Sequence, residues 1–326
     1  MSRVSRSSMG RRRKVKLLSP LWLKGVPKGG ERRTKCPPHL PLANIDSLNS
    51  LATEQPNPRS ENLDRLSTKQ LLLVINREDA QVPKAVTRAI PKIKIVVDAI
   101  VDRLSLGGRL FYIGAGTSGR LGCTDASEMP PTYGVPPNLV QGIIAGGYDA
   151  LVRSIEGAED SGDAGVADIR KRKISKGDVV VGLSASGRAR YVREALLEAR
   201  RLDAFTACIT CNRNSALIPC CHVAIVVETG PEVVTGSTRM KAGTAQKLIL
   251  NMLSTATMVR LGRVKGNRMV DLQIKCEKLR ERALNLVMEE TGASETMALK
   301  ALDAVGGSTR AAIKLLGNRS QGGPPL

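Results

Sequence analysis

Aromatic side chains are scarce in this chain: one Trp, four Tyr and two Phe among 326 residues. A surface that stacks the bases of nucleic acid on protein rings has too few rings to build from, so no nucleic-acid partner is expected. The core must come from Leu, Val, Ile, Ala and Met, as in parallel strands buried on both faces. Long apolar runs are missing too. No stretch approaches the roughly 18 to 20 residues that span a bilayer. The most apolar part of the opening segment, residues 15–26, is interrupted by Lys16, Pro20 and Lys24, which also excludes a signal-peptide core and leaves no membrane segment to expect.

Acidic residues are rare at the start. Residues 1–50 hold 12 Lys/Arg against 2 Asp/Glu and so carry half of the formal charge of +20. That segment is rich in Ser, Pro and Gly and shows no sustained period, so it reads as a basic, unstructured extension. Its composition also fits an organelle transit peptide, or a basic tail that meets RNA or a membrane surface. The charge is therefore not evidence that the globular part binds nucleic acid.

Seven cysteines, an odd number without framework spacing, point to a reducing compartment such as the cytoplasm. Cys208-x-x-Cys211 and Cys220-Cys221-His222 contain zinc-ligand types, but they fall in or against expected strands. They read as small core hydrophobes, and no metal is expected.

From residue 60 onward, strand-like and helix-like stretches alternate. Residues 66–77 and 85–104 carry apolar side chains at helical spacing, among them Ile93, Val96, Val97, Ile100 and Leu104. Five short apolar runs follow, at 110–113, 140–145, 179–183, 205–210 and 223–227. Such runs separated by helical segments predict an α/β fold, a doubly wound five-stranded parallel sheet with both faces covered. Ligands of these sheets bind beyond the carboxyl ends of the strands, near the switch in strand order. Residues 271–316 read as a small helical subdomain, with Leu279, Leu284, Val287 and Met288 on one helix and two more at 295–305 and 309–316. The organisation expected is an extension (1–50), a helical lead-in (51–105), the sheet domain (106–270), the helical subdomain (271–316) and a frayed tail (317–326).

Two Gly-Ser-rich loops leave the carboxyl ends of expected strands. One is Gly114-Ala115-Gly116-Thr117-Ser118-Gly119-Arg120; the other is Ser184-Ala185-Ser186-Gly187-Arg188. Glycine lets the backbone approach an anion, while hydroxyls and helix N-terminal N–H groups hold it, so a phosphorylated small molecule is the expected ligand. A third anion-favouring element is expected where Thr235-Gly236-Ser237-Thr238-Arg239-Met240-Lys241 opens a long helix. Ser237 or Thr238 could equally serve there as a helix cap.

From about Thr53 to Leu316 the chain resembles the N-acetylmuramic acid 6-phosphate etherases of the sugar isomerase (SIS) superfamily, whose fold is flavodoxin-like. The stretches that carry the resemblance are residues 107–121, Asp125-Ala126-Ser127-Glu128-Met129-Pro130-Pro131, Glu156-Gly157-Ala158-Glu159-Asp160-Ser161, and residues 229–244. The resemblance implies a cofactor-independent enzyme of cell-wall sugar recycling. It implies cleavage of the D-lactyl ether of N-acetylmuramate 6-phosphate by elimination and hydration, giving N-acetylglucosamine 6-phosphate and D-lactate. It also implies a homodimer with active sites near the two-fold interface.

In that reading Glu128 is the proton donor, its charge-poor setting suiting a raised pKa, and Glu159 is the candidate base. Glu156 is the structural member of its motif, and Glu232 has no assigned role. Thr117, Ser118, Ser184, Ser186 and Ser237 bind phosphate, with Lys241 as charge partner; holding the lactyl carboxylate is the alternative role for Lys or Arg at such sites. Where the family commonly continues Thr-Pro after the second loop, this chain has Ala189-Arg190, losing a hydroxyl and gaining a charge.

Two other classes fit the same fold: a non-catalytic sugar-phosphate sensor, and an aldose-ketose isomerase. The sensor needs neither glutamate. Isomerases of this superfamily often open the sugar ring with a histidine, and this chain has only His39 and His222, neither well placed.

Overall fold

A computed structural model gives the fold, described for residues 51–270, 274 and 277–317. The basic extension, with Trp22 and His39, lies outside the described residues, as do residues 318–326 of the expected frayed tail.

Two helices lead in, α1 (Thr68–Asp79) and α2 (Val82–Ser105). Ser67 and Gln70 form a capping box that starts α1. The five apolar runs are all strands: β1 (Leu110–Gly114), β2 (Val140–Ile144), β3 (Val179–Leu183), β4 (Phe205–Thr210) and β5 (Val223–Val226). They pair in parallel in the order β2-β1-β3-β4-β5. Between them run α3 (Gly116–Tyr133), the short α4 (Asp149–Val152), α5 (Gly162–Lys171) and α6 (Arg190–Arg201).

Side chains alternate across the strands, and each alternate set meets its own helical layer. Leu110, Tyr112, Val179, Val181 and Leu183 are buried against α2, α3 and α7 (Lys241–Arg260). Phe111, Ile113, Val180 and Cys208 are buried against α5 and α6. Gly182 shows how close the second layer lies, because a Cβ there would sit 2.8 Å from both Val192 and Leu196. This is the doubly wound α/β sandwich expected of apolar strands without a polar face.

A two-strand hairpin, β6 (Val264–Lys265) and β7 (Arg268–Met269), leads to α8 (Glu277–Thr291), α9 (Glu295–Ala304) and α10 (Thr309–Gly317). Ala283, Val287, Ala298, Ala301, Leu302, Ala312 and Leu316 form their shared core. Among the described residues no helix is long and apolar enough to cross a membrane.

Candidate active site

The strand order reverses between β1 and β3, which are hydrogen-bonded neighbours, so the loops that follow them emerge side by side. That crevice is where open α/β sheets bind ligands. After β1 the chain turns sharply into α3. A Cβ on Gly114 would lie 2.7 Å from the Gly119 nitrogen, and one on Gly119 would lie 2.6 Å from Ile144, so the helix start sits directly on the strand ends only because both are glycine. Ala115 provides no side-chain cap. The N–H groups of Gly116, Thr117 and Ser118 have no acceptor among the described residues, which leaves the positive end of α3 open to an anion.

The loop after β3 is braced from several sides. Ser184 Oγ accepts from the Gly187 N–H at 3.1 Å and Ser186 Oγ from the Arg188 N–H at 3.3 Å. Each hydroxyl keeps its own proton to donate. Gly187 has φ +74°, and a Cβ there would collide with Ser215 Oγ at 2.0 Å. Buried Asn212 donates to the carbonyls of Ala185 and Ser186 at 3.1 and 3.2 Å. Helix α6 then begins at exposed Arg190, with no side-chain cap from Ala189, the position at which the family's usual hydroxyl is missing.

The start of α7 touches both loops. Thr117 lies against Gly243, and Ala242 packs with Ala185 and Cys211. Its N-terminus is nevertheless not an open anion site, contrary to the sequence expectation. The carboxylate of fully buried Glu232 accepts from the N–H groups of Lys241 and Ala242, both at 2.9 Å. Gly243 donates to the Thr238 carbonyl and Thr244 to that of Met240. The helix start is thus capped by a carboxylate from the preceding loop. Burial pushes the Glu232 carboxyl up, while those two N–H groups and Lys241 hold it down.

Lys241 is likewise placed away from any ligand. Its side chain is 1% exposed, and Nζ donates to Glu78 Oε2 at 2.6 Å. Glu78 also receives hydrogen bonds from Arg59 and from Asn57 Nδ2. The Arg59 bond, with help from Lys241 and Asn57, holds the Glu78 carboxyl down at about 2 despite its burial. Ser237 is half-buried in the preceding turn, its N–H on the Val234 carbonyl.

Glu159 stands in a 3-10 turn (Ala158–Asp160) beyond the carboxyl end of β2 and α4. The residue is exposed, yet its carboxyl sits above the usual range because protein displaces part of its water, with Asp160 and Glu156 adding like charge. Glu156 accepts from Ser154 Oγ at 3.0 Å. Glu128 is exposed on α3 rather than shielded. It lies 12 residues beyond Gly116, about 18 Å along the helix. Cys123 packs over Gly142 in mid-β2, where a Cβ would lie 2.4 Å from the Cys123 Cα. Glu128 is a further ~7.5 Å toward the amino end of that strand. One chain therefore holds Glu128 and Glu159 near opposite ends of β2 and does not pair them.

Among the described residues no group of three or more His, Cys, Asp or Glu is placed to hold a metal ion. Cys208 and Cys221 face each other at 3.5 Å inside the core. His222 stacks on Phe205 and engages Thr206 through Nδ1, at the amino end of β5 and away from the crevice.

Residues 92–199 match the family described as "Glucokinase regulatory protein N-terminal SIS domain", and residues 161–256 match the SIS domain. An N-acetylmuramic acid 6-phosphate etherase of Symbiobacterium thermophilum is 55% identical over 269 residues, covering 82% of this chain and 89% of that protein. One from Actinobacillus pleuropneumoniae is 51% identical over 83% of this chain and 90% of its own length. This chain belongs to the N-acetylmuramic acid 6-phosphate etherases. The family is one of enzymes, carbon-oxygen lyases, built on the SIS fold.

Three side chains that shape this etherase fold carried no clear sequence signal. Glu78 and Glu232 are ordinary glutamates in sequence, and only the fold brings them to the start of α7. Asp125 opens the motif that contains Glu128, but its task is to pin α3 to α7. Its Oδ1 accepts from Ser254 Oγ at 3.2 Å and lies 3.8 Å from Lys247 Nζ. Burial raises the Asp125 carboxyl against the pull of Lys247.

Proposed function

We propose that this chain cleaves the D-lactyl ether of N-acetylmuramate 6-phosphate with water, yielding N-acetylglucosamine 6-phosphate and D-lactate. The observation that carries this reading is the 55% identity to a named etherase over 82% of the chain. The crevice supports it, since Thr117, Ser118, Ser184 and Ser186 surround the open N-terminus of α3 with donors suited to a phosphoryl group. Ser237 joins them from the turn before α7, and Lys241 acts as a buried strut rather than as a phosphate ligand.

The reaction needs two proton transfers. A base takes the C2 proton of the open-chain aldehyde, and those electrons form the C2–C3 double bond as the C3–O bond breaks. An acid protonates the departing oxygen, which leaves as the hydroxyl of D-lactate. Water then adds its hydroxyl to C3 and its proton to C2. An alkoxide leaves poorly and a C2 proton is only modestly acidic, so each assisted transfer contributes about 10²- to 10⁴-fold. Glu159, with its raised proton affinity, is assigned as the base and Glu128 as the acid.

The separation of the two glutamates along β2 favours an active site shared between two chains. In a two-fold homodimer, Glu128 of one chain completes the crevice of the other. The unbridged thiols of Cys208 and Cys221 suit a reducing, cytoplasmic setting. The match to the regulatory protein's SIS domain favours a second reading, a phosphosugar sensor that binds without turnover. Incubation with N-acetylmuramate 6-phosphate and an assay for D-lactate separates the two: release supports the etherase, and binding without release supports the sensor.

A further inference from the structure

With Lys241 sealed against Glu78, the phosphate cradle as assembled from Thr117, Ser118, Ser184 and Ser186 has only neutral donors, although it faces a dianion. The side chains around it leave one cation with an unmet need. Arg188 is half-buried, and its guanidinium Nη1 is wholly buried with no hydrogen-bond partner among the described residues. An unpartnered buried donor is rare and costly, and a charged one more so. The other nearby cations do not share this condition. Arg120 spends its guanidinium on the carbonyls of Leu151 and Arg153, at 3.2 and 2.9 Å. Arg190 and Arg239 are exposed, so water satisfies them.

The backbone of Arg188 is fixed beside the cradle. Its N–H donates to Ser186 Oγ, and the preceding Gly187 adopts a left-handed conformation that brings the loop against Ser215. The loop itself rests on Asn212. The guanidinium carried by that backbone is a planar fork of donors, the geometry that matches phosphate oxygens in pairs.

We propose that Arg188, rather than Lys241, is the cation that binds the phosphoryl group of the substrate, its buried Nη1 being completed by a phosphate oxygen. This rests on the reading of the crevice as a phosphosugar site. It makes Arg188 the residue that separates phosphorylated from unphosphorylated sugar.

The test is equilibrium binding of N-acetylglucosamine 6-phosphate, with unphosphorylated N-acetylglucosamine and D-lactate as companion ligands, to the parent and to Arg188→Gln and Arg188→Lys. Loss of charge-assisted bonds predicts that Arg188→Gln weakens the 6-phosphate by about ten- to hundredfold and leaves the unphosphorylated sugar unchanged. Arg188→Lys, which keeps the charge but loses the fork, should fall between, and it stands in for the glutamine variant should that one fail to fold. Parent-like affinity for the 6-phosphate in either variant overturns the proposal. So does a loss confined to D-lactate, which would assign Arg188 to the lactyl carboxylate. If the parent itself binds no N-acetylglucosamine 6-phosphate, the crevice is not a phosphosugar site and the functional reading falls first.

Discussion

Lys241 Nζ lies 2.6 Å from Glu78 Oε2, with 1% and 3% of the two side chains exposed. The pair ties the first helix of the lead-in to the first residue of α7, across 163 positions of sequence. Removing Glu78 leaves Lys241 buried and uncompensated, which costs about 3 to 5 kcal/mol, whereas removing Lys241 leaves the Glu78 carboxylate still bonded to Arg59 and Asn57. Glu78→Leu should therefore lower unfolding free energy by about that amount in a denaturant titration, and Lys241→Met by less. The double variant Lys241→Met with Glu78→Leu should recover part of the loss, although Arg59 and Asn57 then lose their acceptor. A single variant as stable as the parent would remove the pair from the framework.

The same carboxylate sets a pH dependence. Glu78 titrates at about 2 in the fold against an ordinary value of 4.5, and Glu198, bonded to Arg201 and Arg170, behaves alike. A depressed folded pKa gives stability that is complete above the unfolded value and lost as pH falls through the folded one. Stability should therefore drop between about pH 4.5 and 2, and Glu78→Gln should flatten that drop. Unfolding midpoints followed across this range provide the check. An unchanged slope in the variant would assign the acid sensitivity to other groups.

The second loop makes a separable prediction. Ser184→Ala with Ser186→Ala should weaken binding of N-acetylmuramate 6-phosphate by about 1.5 to 3 kcal/mol per charge-assisted bond lost. Part of that loss would come from the loop, because Ser184 and Ser186 also accept from Gly187 and Arg188. Unphosphorylated N-acetylmuramate provides the control. Were it to bind the parent as tightly as the 6-phosphate, the serines would not form a phosphate site.

Much of this was legible in the sequence, for physical reasons that can be named. The five strands are apolar runs buried on both faces, so composition alone marks them, and the two glycine-rich loops announce themselves because close backbone approach requires glycine. The buried role of Lys241 is not legible, for the opposite reason. A lysine after Ser-Thr-Arg-Met at a helix start looks like a ligand for anions, and nothing local reveals that Glu78 will be buried against it. Glu232 gave no signal as the cap of α7, since it caps from outside the helix across a loop. The hairpin of β6 and β7 has two residues per strand and is too short to show a period.

The placement of the glutamates near opposite ends of β2 predicts complementation. Glu128→Gln and Glu159→Gln should each abolish lactate release while binding of phosphosugar persists, because an amide keeps the shape but transfers no proton. If each site draws one glutamate from either chain, coexpression of the two variants should restore about a quarter of parent activity through mixed dimers. Failure of the mixture to regain activity would place both glutamates in the same chain's site.

Isotope tracing of the full reaction tests the etherase mechanism most directly. N-acetylmuramate 6-phosphate would be turned over in water enriched in deuterium and heavy oxygen, and both products weighed by mass spectrometry. Elimination followed by hydration predicts D-lactate whose hydroxyl oxygen is unlabelled, and N-acetylglucosamine 6-phosphate carrying deuterium at C2 and heavy oxygen at C3. Heavy oxygen in the lactate hydroxyl, or C2 left free of deuterium, would contradict it.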